Sequence, residues 1–366
     1  MDITKIMLIP KLRFPGFKEK WHSVKMEDFA PLQRGFDLPV SKIKTGPFPV
    51  VFSNGVLKTH VKYKAIAPGV ITGRSGTIGK VHFIEENYWP HNTSLWVTDF
   101  KGNNPKYVYF VYKRLNLKKF STGSGVPTLN RNNIHSYKII APNLTEQEKI
   151  ADFLTTVDNH IDLQQKKLDL LKKYKKGLMQ QIFSQKLRFN DDNGNVFPEW
   201  QEKKFDEILE YEQPTKYIVR SAEYNKHNKT PVLTAGKTFI LGYTNETDGI
   251  FTKLPVIIFD DFTTASQFVN FRFKVKSSAM KILKAKPGVN IKVAYELLKC
   301  INFSTGDHKR YWIAEGQGYT TKLPLEKEQI KIAEFLTTLD DKVKLEESKL
   351  EQTKQFKKAL LQQIFV

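Results

Sequence analysis

Residues 147–158 read QEKIADFLTTVD, and residues 329–340 read QIKIAEFLTTLD. The offset of 182 residues recurs further on. There Lys175-Lys176-Gly177-Leu178-Met179-Gln180-Gln181-Ile182-Phe183 aligns without a gap on Lys357-Lys358-Ala359-Leu360-Leu361-Gln362-Gln363-Ile364-Phe365. Two matches at one offset do not arise by chance. The period is far too long for a solenoid repeat, so the chain is a duplication of one large unit.

Both repeated segments carry a helical pattern. Alternating steps of four and three pick out Ile150, Leu154, Val157, Ile161, Gln164, Leu168, Leu171, Lys175, Leu178 and Ile182, apolar except for Gln164 and Lys175. The second copy gives Ile332, Leu336, Leu339, Val343, Glu346, Leu350, Thr353, Lys357, Leu360 and Ile364. A sustained period of 3.5 implies a coiled-coil seam. Both copies turn polar at the same places, Gln164/Glu346 and Lys175/Lys357, which predicts that the two helices pair with each other in fixed register. The expected pairing residues are Leu154, Val157, Ile161 and Leu168 against Leu336, Leu339, Val343 and Leu350. Thr145-Glu146-Gln147-Glu148 reads as a capping box opening the first helix. A helix of about 38 residues makes a rod of roughly 57 Å, long enough to act as a spacer between domains. Lys166, Lys167, Lys172, Lys173, Lys175 and Lys176 make a basic face on the first copy, and the second has Glu346, Glu347 and Glu351 nearby. Opposite charges there would orient the pairing, and the alternative is a solvated face.

The rest of the chain forms two unlike blocks. Both open alike, with Arg13-Phe14-Pro15 before Trp21 and with Val196-Phe197-Pro198-Glu199-Trp200. Short β-rich runs follow, such as residues 48–52 and 254–259, with helical stretches near 105–116 and 290–300. The organisation is block 1–143, helix 144–186, block 187–324, helix 325–366.

Composition narrows the partners. Across 366 residues, 58 Lys+Arg against 38 Asp+Glu leave a formal charge of +20. Such a surface attracts nucleic acid or an anionic membrane unless the basicity is incidental. No apolar run reaches spanning length and the N-terminus lacks a signal-peptide pattern, so no membrane partner is expected. The single Cys300 excludes an internal disulfide and a cysteine metal site, and fits a reducing cytoplasm.

Two variable blocks alternating with two duplicated helices resemble the specificity subunits of Type I restriction–modification systems. The marks are the two twelve-residue repeats, the Gln-Gln-Ile-Phe endings, the block openings, and Ile71-Thr72-Gly73-Arg74-Ser75-Gly76-Thr77-Ile78-Gly79. The resemblance implies an α+β fold: two similar mixed α/β target recognition domains joined by two long antiparallel coiled-coil helices, with pseudo-two-fold symmetry. It implies that each domain reads one half of a split double-stranded DNA site. The helices would set the gap and dock two modification subunits, which carry S-adenosylmethionine. A separate restriction subunit would carry ATP-driven translocation and cleavage. No catalytic residue, cofactor or metal is expected on this chain. The rival readings are a self-contained DNA methyltransferase or nuclease, and a coiled-coil scaffold.

Gly73 through Lys80 lacks the glycine and the Ser/Thr of a phosphate-binding P-loop. Asn104-Pro105-Lys106-Tyr107 departs from the methyltransferase Asn-Pro-Pro-Tyr tetrad at Lys106. Asp260-Asp261 has Glu202-x-Lys204 only on the wrong side for a metal nuclease. The remaining clusters suit DNA. Arg74, Ser75, Thr77 and Lys80 form a small-residue loop with two cations, in which Arg74 is a candidate for bidentate contact with a guanine. His91 and Asn92 are candidates for base reading or for internal hydrogen bonds. Ser124, Thr128, Asn130, Arg131 and Asn132 lie in a donor-rich stretch without acids. In the second block the candidates are Lys237, Thr263, Arg272, His308, Lys309 and Arg310, with Tyr319, Thr320 and Lys322 in what reads as the counterpart of the Gly123/Gly125 loop. Where the first block has Thr72-Gly73-Arg74-Ser75-Gly76, the second has Asp260-Asp261-Phe262-Thr263-Thr264, an acidic pair that would either accept from cytosine N4 or cap a turn.

Overall fold

The computed structural model describes residues 10–122, 127–235, 238–303 and 310–366. The chain divides into two compact units, residues 1–168 with 346–366, and residues 169–345. Each long helix is therefore shared between units, and each unit holds one stretch of both helices.

The first unit contains β1 (His22–Lys25), α1 (Met26–Phe29), β2 (Leu32–Arg34), β3 (Phe48–Phe52), β4 (Gly55–His60), β5 (Gly69–Gly73), β6 (Val81–Ile84), β7 (Trp89–Pro90) and β8 (Ser94–Val97). Then come α2 (Pro105–Arg114), β9 (Ser121–Thr122), β10 (Thr128–Leu129), α3 (Arg131–His135), β11 (Lys138–Ala141) and the start of α4 (Leu144–Phe183). A four-stranded antiparallel sheet has the order β2-β8-β5-β6, a three-stranded sheet β4-β3-β7, and β1 pairs with β11. β5 is buried along its whole length, as a central strand covered on both faces should be.

The second unit contains β12 (Gln201–Lys204), α5 (Phe205–Ile208), β13 (Leu209–Glu212), β14 (Thr230–Leu233), β15 (Ile240–Thr244), β16 (Val256–Asp260), β17 (Ser266–Val269), β18 (Lys274–Val275) and β19 (Met280–Ala285). α6 (Ile291–Leu298), α7 (Tyr311–Ala314), β20 (Thr320–Leu323) and α8 (Glu326–Ile364) complete the chain. Its sheets run β13-β19-β16-β17 and β15-β14-β18, with β12 paired to β20. The strand order repeats that of the first unit, including the one parallel pair in each three-stranded sheet. The expected α2 and α6 are capped by Asn104 and Asn290, whose side chains accept from backbone N–H groups of the first turn.

The helices pair antiparallel within each unit. In the first, Lys357 binds Asp158 and Lys167 binds Glu346 at 3.0 Å. In the second, Lys175 binds Asp340. Leu154, Leu168, Leu336, Leu339 and Leu350 are buried, and Val157, Ile161 and Val343 are half-buried, as the seam predicts. The two polar seam lysines are thus ion-paired across the helix pair. Asp158 and Asp340 occupy equivalent places in the duplication, as do Lys175 and Lys357.

The capping reading needs correction. α4 begins at Leu144, and Asn143 Oδ1 accepts from Glu146 N at 3.0 Å. Thr145 therefore lies inside the first turn and is not the cap, and the Glu146 carboxylate is committed elsewhere. It is 1% exposed and receives both Arg13 Nε (2.8 Å) and Nη2 (2.7 Å), with Trp21 Nε1 at 3.2 Å. The second unit repeats this clasp with Glu328, Arg188 (2.9 Å twice) and Trp200 (3.0 Å). The carboxylates hold the Arg13 and Arg188 guanidiniums above their ordinary pKa, chiefly through the hydrogen bonds. The next residue does similar work: Gln147 accepts from Asn104 N, and Gln329 from Asn290 N. Block openings, helix starts and mid-block helices are therefore fastened together in both units by the same residues.

Candidate nucleic-acid interface

Three stretches that are separate in sequence meet at one edge of the first unit. The turn after β5 is held by Arg74 N and Ser75 N donating to Thr93 O (2.8 and 3.3 Å). Gly76 N donates to Pro127 O at 3.2 Å, and Leu129 N to Arg74 O at 2.7 Å. Ser75 and Thr128 form an isolated bridge. The 74–80 turn, the 91–94 turn and the β9–β10 hairpin thus make one surface. Arg74 Nε donates to Asn92 O at 3.0 Å, which fixes the side chain and leaves Nη1 and Nη2 outside that bond. Asn92 Nδ2 in turn donates to Asp37, a residue with no sequence signal of its own, being one acid in an ordinary loop.

The other candidates of the first unit divide by burial. Lys80 is exposed and Thr77 half-buried. Asn130, Arg131 and Asn132 are exposed at the start of α3, where Asn130 Oδ1 accepts from Asn132 N at 2.9 Å. His91 is spent inside: Nδ1 lies 2.9 Å from Thr93 Oγ1 and Nε2 3.3 Å from Leu38 O. Burial depresses its pKa, so it is neutral at pH 7. Ser124 lies outside the described residues, as do Lys237, His308 and Lys309.

The second unit builds the same edge with different side chains. Gly73 pairs with Ser94, and Asp260 with Met280, so Arg74 and Asp261 occupy equivalent places. Tyr311 N donates to Asp261 O at 3.0 Å, just as Leu129 N does to Arg74 O. Of the two readings of the acidic pair, the structure takes the turn-capping one. Asp260 is 4% and Asp261 2% exposed. Asp260 accepts from Phe262 N at 3.0 Å and from Thr263 Oγ1. Asp261 accepts from Trp312 N at 2.8 Å and pairs with Lys281 at 3.5 Å.

This register corrects the loop alignment. Residues 316–322 are not the counterpart of the Gly123/Gly125 loop, because β20 pairs with β12 and leads into α8, as β11 pairs with β1 and leads into α4. Phe205 N donates to Tyr319 O, and Met26 N to Tyr137 O, so Tyr319 matches Tyr137. The shared G-x-G misled because it is a chance match: the 182-residue offset that relates the helices also relates Leu129 to Tyr311 and Tyr137 to Tyr319, and it places residues 316–318 past the true counterpart. Arg310 is exposed beside that edge. Thr320 and Lys322 are exposed on β20, apart from it. Arg272 lines a different cleft, with Thr230, Thr244 and Glu246. Asn104-Pro105-Lys106-Tyr107 is a helix start, Asn104 Oδ1 accepting from Tyr107 N at 3.0 Å.

Comparison with known proteins agrees with this architecture. The profile of the Type I restriction modification DNA specificity domain matches residues 18–173. The Escherichia coli Type I restriction enzyme EcoR124I/EcoR124II specificity subunit is 55% identical over 114 residues, 30% of this chain and 28% of that one. The Methanocaldococcus jannaschii MjaVIII specificity subunit is 28% identical over 118 residues, 31% of this chain and 26% of that one. The chain thus spans under a third of the length of these two curated relatives. The crystal structure of the S subunit of a Type I system from M. genitalium superposes with a TM-score of 0.70 at 15% identity, covering 98% of this chain and 99% of that one. The resemblance read from the repeats is borne out, as is the fold class of two similar mixed domains and two long helices. No helix among the described residues is long and apolar enough to cross a membrane.

Proposed function

We propose, from the premise that residues 18–173 belong to the Type I restriction modification DNA specificity domain family, that the chain is the DNA-reading subunit of such a system. Each unit reads one half of a bipartite double-stranded site. The helix pair sets the gap and docks two modification subunits, and a restriction subunit joins the same assembly. The chain itself reads and positions, and the partners carry out the chemistry.

One observation carries this reading: an edge of the same construction occurs in both units, with Arg74 in one and a buried Asp261 at the matching place in the other. Duplicated scaffolds with unlike reading residues suit a site whose two halves differ in sequence. Fixing both readers on paired helices turns two weak half-site contacts into one bidentate contact with a defined gap. The +20 charge supplies the attraction to phosphate that such binding requires.

The test is co-expression with the cognate modification subunit, followed by genome-wide mapping of methylated adenines. The expected result is a split motif with a constant gap. Methylation by the isolated chain would favour a self-contained enzyme instead, and methylation without a motif would sink the reading.

A further inference from the structure

The turn joining β16 to β17 holds an aromatic side chain out in water. Phe262 is 52% exposed, yet the turn beneath it is tightly fixed. Asp260 accepts from Phe262 N and Thr263 Oγ1. Thr264 N donates to Asp260 O at 2.9 Å, and Asp260 N to Ala265 O at 2.8 Å. Thr264 adopts φ +61°, a left-handed conformation that a β-branched residue seldom takes. Behind the turn, the Asp261 carboxylate is anchored by Trp312 N and Lys281. Beside it opens a cleft of about 350 Å³ lined by Phe239, Ile258 and Met280 together with the polar Asp260, Thr263 and Gln267. A Phe carried on a fixed turn at this edge presents apolar surface whose burial by a ligand would be favourable.

The place of this turn tells what covers it. Phe262 is the counterpart of Ser75 on the first unit's edge, and exposed Arg310 adjoins it through the bond from Tyr311 N to Asp261 O. A phenyl ring has neither donor nor acceptor, so it cannot read hydrogen-bonding patterns. In the major groove the one apolar group on a base edge is the 5-methyl of thymine, for which Phe is a suitable contact. We infer that Phe262 is a specificity-determining residue of the second unit and recognises a thymine methyl in its half-site, an inference that rests on the DNA-reading function proposed above.

The experiment uses the chain assembled with its modification subunit, after methylation mapping has defined both half-sites. Each thymine is replaced singly by deoxyuridine, which lacks only the methyl, and binding is titrated for wild type, Phe262→Ala and Phe262→Leu. One replacement, in one half-site, should weaken wild-type binding about fourfold, the effect of losing one buried methyl. Phe262→Ala should be insensitive to it, and Phe262→Leu should keep part of the sensitivity. The inference is overturned if the second unit's half-site holds no thymine, or if wild type and Phe262→Ala respond alike to every replacement. It is also overturned if Phe262→Ala weakens binding to all sequences equally, which would make Phe262 a wedge between base steps. Absence of any bipartite motif in the wild-type map would instead sink the DNA-reading function itself.

Discussion

Arg74 and three partly buried histidines give the first unit its testable properties at the residue scale. With Nε tied to Asn92 O, the Arg74 fork is pre-oriented, and a bidentate guanine contact is worth about 1–3 kcal/mol. Arg74→Ala should therefore lower methylation at one half-site by roughly 5- to 150-fold and leave the other half of the motif unchanged, as read by methylation mapping. An unaltered pattern would remove Arg74 from the reading set. His82, His91 and His135 all have pKa values pushed down, in each case chiefly by burial. A folded pKa below the unfolded value of about 6.5 means that their stabilisation is present above that pH and is lost as pH falls through it. All three lie in the first unit. Thermal melts at pH 7.5 and 5.5 should show the first unit losing stability on acidification, with the shift reduced by His→Gln variants. At this scale the sequence was only partly legible. The Gly73–Lys80 motif could be recognised from its glycines and cations, but Asp37 could not, because its place at the edge comes from a contact with Asn92, 55 residues away.

The long helices were the most legible elements, since a 3.5-residue period sustained over ten positions admits few structures. The ion pairs within the seam were half visible. Lys175 and Lys357 stood out as polar interruptions, whereas their partners Asp340 and Asp158 sit one step off the seam and look like ordinary surface acids. The helix start differs because Asn143 and Thr145 are both good caps, and only the bond from Glu146 N to Asn143 Oδ1 separates them. Removing one partner leaves a poorly solvated lysine. Asp158→Asn should cost about 2 kcal/mol, as should Asp340→Asn, measured by urea unfolding. Replacing both Asp158 and Lys357 by Leu should recover most of that loss while relaxing helix register, because apolar pairs specify alignment weakly.

Over the whole molecule, duplication was evident from sequence, but the equivalence of the two edges was not. Placing Asp261 opposite Arg74 needed the strand pairing, since their separation is not the 182 residues that relate the helices. Excess positive charge should dominate affinity: raising salt from 50 to 200 mM is expected to weaken DNA binding about a thousandfold if roughly six phosphates are contacted. A titration series gives the slope directly, and a flat one would exclude a polyanion as ligand. The paired Arg–Glu–Trp clasps carry one corollary. Both mounts use the same three side-chain types at the beginning of near-identical helical tracts, so a block exchanged within those tracts would meet the same Arg–Glu–Trp anchor it left.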